Sequence, residues 1–195
     1  MSIKRNDLMQ YLNGLLESKK CKDYCPNGLQ VEGKSEIKKI VTGVTASQGL
    51  IDFAVAQGAD ALLVHHGYFW RGEDECITGI KKKRIQTLLA HDINLIAYHL
   101  PLDNHEEFGN NVQLAKQLGL TIVSGLDPND ASIPGLIGRL SQPMSASDFS
   151  NLINQRLNRQ PLHLGVKADE MIETIAWCTG GAQGYMQYAI SAGVD

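Results

Sequence analysis

"ADALLVHHGYFW", residues 59–70, runs from a charged residue through the apolar stretch Ala61 to Val64, into two adjacent histidines and then three aromatic residues. A run as short as Ala61 to Val64 has the length of a strand buried on both faces, as strands of parallel sheets are. The segments on either side fit that reading. Residues 37 to 44 pattern as a strand. Ser47 is placed to cap a helix whose inward face is Leu50, Ile51, Ala54 and Val55, and Gly58 is placed to end it. After the histidines come a loop, a helix near 80–91 with Ile80, Ile85, Leu88 and Leu89 as its apolar face, a strand from Ile93 to His99, and a helix from Asn110 to Leu118. Upstream, residues 5–19 place Leu8, Met9, Leu12, Leu15 and Leu16 on one helical stripe, and Pro26-Asn27-Gly28 marks a turn. This alternation predicts an α/β fold with mixed or mostly parallel sheets covered by helices.

The stretch SGLDPNDASIPG, residues 124–135, holds two prolines and two glycines and reads as a linker. It divides the chain into an N-terminal α/β domain, 1–123, and a second α/β unit, 124–195. The second unit should contain a strand at 136–140, a helix opened by Ser145 or Ser147, a strand from Met171 to Cys178, and a helix from Ala182 to Ala192.

Composition narrows the function classes. The chain has 195 residues, 43% apolar and 20% charged, with a net charge of −3. That is enough chain to bury roughly 70% of its unfolded surface, and no field of one sign would recruit nucleic acid or an anionic membrane. The N-terminal residues lack the apolar core of a signal peptide or spanning segment, so the expected location is the cytoplasm. Cys21, Cys25, Cys76 and Cys178 form no C-x-x-C pair, which argues for reduced thiols over a disulfide framework or structural zinc.

In open α/β sheets the ligand crevice lies beyond the carboxyl ends of the strands. His65 and His66 close one strand; His99 closes the next, with Asp103 after a proline-bent loop. Imidazole and carboxylate together suit Zn, Fe, Mn, Ni or Co better than Ca or Mg. Successive strand residues point to opposite sides, so His65 and His66 would serve two divalent ions more naturally than chelate one. Two ions roughly 3.5–4 Å apart would share a water and hold it as a hydroxide nucleophile. The bland alternative is a surface or core histidine pair. His91 lies at a helix C-terminus, where a cation favours the dipole, and His163 lies far from the others in sequence.

Other motifs are weaker. Lys81-Lys82-Lys83-Arg84 reads as a solvated helix face. TGGAQG, residues 179–184, lacks the G-K-[ST] ending of a phosphate loop. Tyr68, Phe69 and Trp70 could wall a planar ligand or form an oligomer contact. No serine or cysteine stands in a nucleophile signature.

YCPNGLQVEG, VTGVTAS, ADALLVHHGYFW, INLIAYHLPLD, GNNVQLAKQLG and AWCTGG, in this order, resemble the GTP cyclohydrolase 1 type 2-like proteins, also called the Nif-three-like family. The resemblance implies two similar α/β domains, a pair of divalent ions, and a ring-shaped homohexamer. It implies His65 as ligand of one ion, His66 and Asp103 as ligands of the other, and His99 in the same pocket; in a hydrolase His99 is the candidate proton shuttle. The family's C-terminal H-x-x-x-E ligands have no counterpart after residue 105. The function implied is a metal-dependent hydrolase acting on a small nucleotide-like or phosphate-bearing substrate. The alternative is a non-catalytic metal-binding ring that serves as a metal chaperone or scaffold.

Finally, QGLIDFAVAQGAD (48–60) can be laid without gaps on QGYMQYAISAGVD (183–195), with Gln48, Gly49, Ala54, Gly58 and Asp60 matching Gln183, Gly184, Ala189, Gly193 and Asp195. This predicts a repeat whose second copy is incomplete, with Met186, Ala189 and Ile190 short of a partner and the chain a piece of a longer protein.

Overall fold

Ala61, Leu62 and Val64 are almost wholly buried, and the strand they begin, β5 (Ala61–His66), continues through both histidines. The computed structural model describes residues 2–130, 133–165 and 167–195. By its internal contacts the chain divides into two units, Met1–Leu102 and Asp103–Asp195.

In the first unit β5 pairs in parallel with β4 (Ile40–Thr45) and with β6 (Asn94–Ala97), so that Ala61 lies opposite both Ile40 and Asn94. An antiparallel strand, β2 (Gly28–Val31), adds to β6, and the sheet order is β2-β6-β5-β4. β2 was not expected, because four residues after a turn carry no readable period. The open edge of β6 makes them a strand. A short ribbon joins β1 (Ile3–Lys4) to β3 (Glu36–Ile37).

The sheet is covered on both faces, and the side chains of β5 alternate between two cores. Leu62 and Val64 pack with Ile51, Ala54, Leu88 and Leu95, whereas Ala61 packs with Leu8, Ile37, Ile96 and Tyr98. On the first face lie α2 (Gln48–Ala56) and α3 (Gly79–Ala90). Ser47 Oγ accepts the Leu50 N–H at 3.3 Å as the expected cap, and Gly58 has φ +63°. In α3 only part of the expected face goes inward: Ile85 and Leu88 are buried, but Ile80 is 70% exposed and Leu89 55%. Leu8, Met9, Leu12 and Leu16 join the second face; α1 (Arg5–Leu15) stops earlier than the expected residue 19, because Glu17 turns left-handed at φ +46°.

The second unit begins within α4 (Leu100–Asp103) and continues with α5 (Asn110–Leu118), β7 (Thr121–Gly125), β8 (Leu136–Ser145), α6 (Ala146–Leu157), β9 (Met171–Trp177) and α7 (Met186–Ala192). Its sheet, β7-β8-β9, is antiparallel throughout, so the fold is mixed α/β. β7 overlaps the start of the stretch read as a linker, whose Ala131 and Ser132 lie outside the described residues. The division between units therefore precedes the composition-based 123/124 boundary: α5 and the residues around β7 share a core with β8, through Ala115, Leu118, Leu120 and Leu140. Ser145, not Ser147, caps α6, accepting the Asp148 N–H at 3.1 Å.

The aligned pieces 48–60 and 183–195 hold matching local places. Each follows a strand, and Gly58 and Gly193 turn the chain at φ +63° and +67°. Asp60 Oδ2 then accepts the N–H groups of Lys38 and Lys39 at 2.8 and 3.0 Å, and Asp195 Oδ2 accepts those of Glu173 and Thr174 at 2.9 and 2.8 Å. The sequence separations are the same, 22 and 21 residues. The copies differ in cover: Ile51 is fully buried, while Met186 and Ile190 of α7 are 68% and 63% exposed. Among the described residues β9 is an edge strand.

Asp60 also binds Lys34 Nζ at 2.7 Å. Burial alone would raise its carboxyl, but the hydrogen bonds from Lys34 and from the Lys38 and Lys39 N–H groups outweigh that and hold it below the usual range. Its contribution to stability is therefore complete above the unfolded carboxyl value of about 3.9 and is lost as pH falls through the lower folded value. Asp60→Ala should cost about 2 kcal/mol in urea melts at neutral pH, and the gap to wild type should narrow in acid. A gap of constant size across the acid range would assign the loss to packing.

Candidate metal centre

The carboxyl end of β5 lies between two neighbours, and each histidine leans on a different one. His65 Nδ1 donates to the carbonyl of Tyr98, just past β6, at 3.0 Å; His66 Nδ1 lies 3.1 Å from Thr45 Oγ1 at the end of β4. The rings still meet, with centroids 4.4 Å apart. His99 follows β6, its ring centroid 5.0 Å from that of His65 and 5.7 Å from that of His66. One ring nitrogen from each of His65, His66 and His99 lies within 4.8 Å of the others. A carbonyl can only accept, so His65 carries its proton on Nδ1, with the lone pair on Nε2. A ring nitrogen tied to a carbonyl, hydroxyl or carboxylate is what orients a metal-binding imidazole.

The glycine of VHHG is required by close approach. A Cβ on Gly67 would meet Gln30 Oε1 and lie 2.7 Å from Ala97 Cβ. Gln30 Oε1 accepts the Tyr68 N–H at 2.7 Å, and Gln30 Nε2 donates to the carbonyls of Pro26 and Tyr68. The aromatic triplet is consequently not one exposed patch. Tyr68 is buried, its hydroxyl donating to Ala46 O at 2.7 Å. Phe69 takes φ +65° and carries Lys81 Nζ over its ring at 5.4 Å. Trp70 sets its ring edge to face against His99, at 4.9 Å and 84°.

Residues 23–27 contribute what the sequence reading missed. Asp23 lies 3.0 Å from His99 Nδ1, and the two side chains are 2% and 7% exposed. Its carboxylate also accepts the N–H groups of Tyr24 and Leu100 and the Asn27 amide. Burial alone would raise the Asp23 carboxyl, but the hydrogen bonds from His99, Asn27 and the Leu100 N–H outweigh it and hold it far below the usual range. Asp23, Cys25 and His99 also bring donor atoms within 4.8 Å of one another. That set is the poorer metal cage. The Asp23 oxygens already accept several N–H groups, and burial, then the Asp23 charge, push the Cys25 thiol up to about 12. A signal for this arm was present in DYCPN, an aspartate four residues ahead of an asparagine in a proline turn.

Asp103 falls in the second unit. It is 9% exposed and its Oδ1 accepts the Asn110 amide at 2.6 Å. His91 is the C-cap of α3, its Nδ1 donating to Thr87 O at 2.9 Å. Of the basic run, Lys81 donates to the Asp74 carbonyl, while Lys82 and Lys83 are exposed. No described helix is long and apolar enough to cross a membrane.

The thiol states can be checked directly. Near pH 8 a value of about 12 leaves Cys25 with roughly a thousandfold less thiolate than an ordinary cysteine. Iodoacetamide should modify exposed Cys76 well before Cys25, as peptide mass spectrometry would show. Equal labelling of the two would contradict the buried, Asp23-facing placement of Cys25.

Comparison with known proteins places the chain in a family. The model of Duf34/NIF3 (NGG1p interacting factor 3) matches residues 3–195. A Pseudomonas aeruginosa protein named GTP cyclohydrolase 1 type 2 homolog is 52% identical over 195 residues, which is 100% of this chain and 77% of the relative. An Escherichia coli protein of the same name is 50% identical over 193 residues, 99% of this chain and 76% of the relative. A solved structure described as protein ybgI, of unknown function, superposes with a TM-score of 0.93 at 49% identity, covering 99% of this chain and 76% of the other. One from Thermus thermophilus gives 0.81 at 34% identity, covering 99% and 75%. The chain belongs to the Duf34/NIF3 family.

Proposed function

We propose that the protein is a divalent-metal-dependent hydrolase acting on a small nucleotide-like or phosphate-bearing substrate. The observation that carries this reading is the group of three imidazoles at adjoining strand ends, with the Nδ1 atoms of His65, His66 and His99 paired to Tyr98 O, Thr45 Oγ1 and Asp23. That donor set suits zinc, iron, manganese, nickel or cobalt. His65, His66 and Asp103 would hold two ions. Bound ions supply a nucleophile by lowering the pKa of water and polarise the substrate oxygen. His99 would carry the proton between nucleophile and leaving group through Nε2, since Nδ1 is committed to Asp23. The names of the relatives favour a nucleotide as substrate. A cytoplasmic homo-oligomer, a hexameric ring, fits the apolar exposure of Ile80 and Leu89 on α3 and of Ile77 just ahead of it.

A second reading rests on the same cluster: a metal-binding scaffold without turnover. Metal-loaded protein incubated with a nucleotide panel separates the two. Consumption of at least one substrate, abolished by chelation, is expected; tight metal binding with no substrate consumed would leave the scaffold.

His65→Ala, His66→Ala and Asp103→Ala should each weaken metal binding by at least about tenfold, read by elemental analysis after dialysis, and leave the melting temperature of chelated protein within a few degrees. Unfolding at unchanged metal content would make these residues core. Light scattering should return a multiple of the 21.4 kDa chain mass at micromolar concentration; a monomer would count against the ring.

A further inference from the structure

We propose that Asp23 is a positioning residue, whose carboxylate holds the His99 imidazole in the tautomer with its proton on Nδ1 and its lone pair on Nε2. The inference deepens the reading of His99 given above and assigns a residue which that reading leaves without a role.

The geometry is specific. His99 Nδ1 lies 3.0 Å from Asp23 Oδ1 and 3.2 Å from Oδ2, so both carboxylate oxygens face the same ring nitrogen. An ionised carboxylate only accepts, so the proton between them belongs to Nδ1. The carboxylate cannot rotate away cheaply. Oδ1 also accepts the Tyr24 N–H at 2.7 Å, and Oδ2 accepts the Leu100 N–H and the Asn27 amide, both at 2.9 Å. Asn27 closes the loop by accepting the His99 backbone N–H on Oδ1 at 2.8 Å. One short arm of chain thus sets both the main chain and the ring of His99. The flat faces are confined too. Tyr24 and Trp70 stand edge to face against the ring at 5.0 and 4.9 Å, with interplanar angles of 77° and 84°.

A free histidine side chain favours the proton on Nε2, so this arrangement works against the intrinsic preference. Reversal of it presents a lone pair on the nitrogen that Asp23 does not engage, the condition for taking up a proton or an ion there. With the pair so little exposed, water does not compete for Nδ1. Both Asp23 oxygens face the His99 ring nitrogen, so its effect on the centre passes through His99.

The test reads the tautomer and needs neither turnover nor bound metal. The 195-residue protein labelled with nitrogen-15 in histidine is studied by long-range proton–nitrogen correlation, with and without chelator, and His99→Gln identifies the signal. The expected result is a single Nδ1–H tautomer for His99 in both conditions, with a proton that exchanges slowly. Asp23→Ala should lose it, giving the Nε2–H form or fast exchange, and Asp23→Asn, whose amide NH2 can donate to Nδ1, should shift His99 toward the Nε2–H form. An Nε2–H tautomer in the wild type would overturn the proposal, and so would a tautomer that Asp23→Ala leaves unchanged. An Nδ1–H form seen only without chelator would assign the selection to the ion and also overturn it. If Asp23→Ala does not fold, the wild-type and Asp23→Asn spectra decide alone. None of these results depends on whether the protein hydrolyses a nucleotide, so failure here is distinguishable from failure of the hydrolase reading.

Discussion

The placement of β5 between two parallel partners is the constraint from which the first unit follows. Its backbone groups are paired on both edges and its side chains meet a core on both faces, so only apolar residues are tolerated until the strand leaves the shared core. Ala61 to Val64 meet that requirement. His65 and His66 come where the strand reaches the rim, still extended and still in register with Thr45, but partly open. Asn94, fully buried at the opposite end of β6, shows the same rule from the other side. It is admitted because its amide donates to the carbonyls of Lys34 and Asp60 and its oxygen accepts the Gly33 N–H.

The arm from Asp23 to Gln30 turns this rim into a centre. Asp23 and Asn27 hold the residues after β6, and Gln30 holds the loop after β5. β2, at the end of the arm, is itself held by β6, so the strand that presents His99 also anchors the segment that orients it. Burying the Asp23 carboxylate is costly in itself; the N–H donors around it offset that cost and leave the charge in place.

The two units solve one local problem alike and the larger one differently. In each, a helix ends at a left-handed glycine and an aspartate two residues later returns to the N–H groups of the preceding strand region. Beyond that, β4 has a parallel neighbour and β9 an antiparallel one. The interaction is local enough to recur wherever the helix and strand recur, whatever sheet they join.

Sequence by itself determined the elements whose residues carry their own signals: the β4-α2-β5 run, with Ser47 as cap and Gly58 as stop; α5 from Asn110 to Leu118; and the histidines at strand ends. It carried the family as well, through motifs that lie in those elements. Tertiary structure alone decided the rest. β2 is a strand only because β6 offers an edge, and β7 with its antiparallel sheet lay in residues whose prolines and glycines read as a linker. Ile80 and Leu89 have the right spacing for α3's buried face yet stay exposed, since periodicity names a stripe and the neighbours set its width. Asp23 was the largest omission at the centre. It is 76 residues from His99 in sequence, and a hydrogen bond across that distance exists only after β2 has paired with β6, an event that no local pattern records.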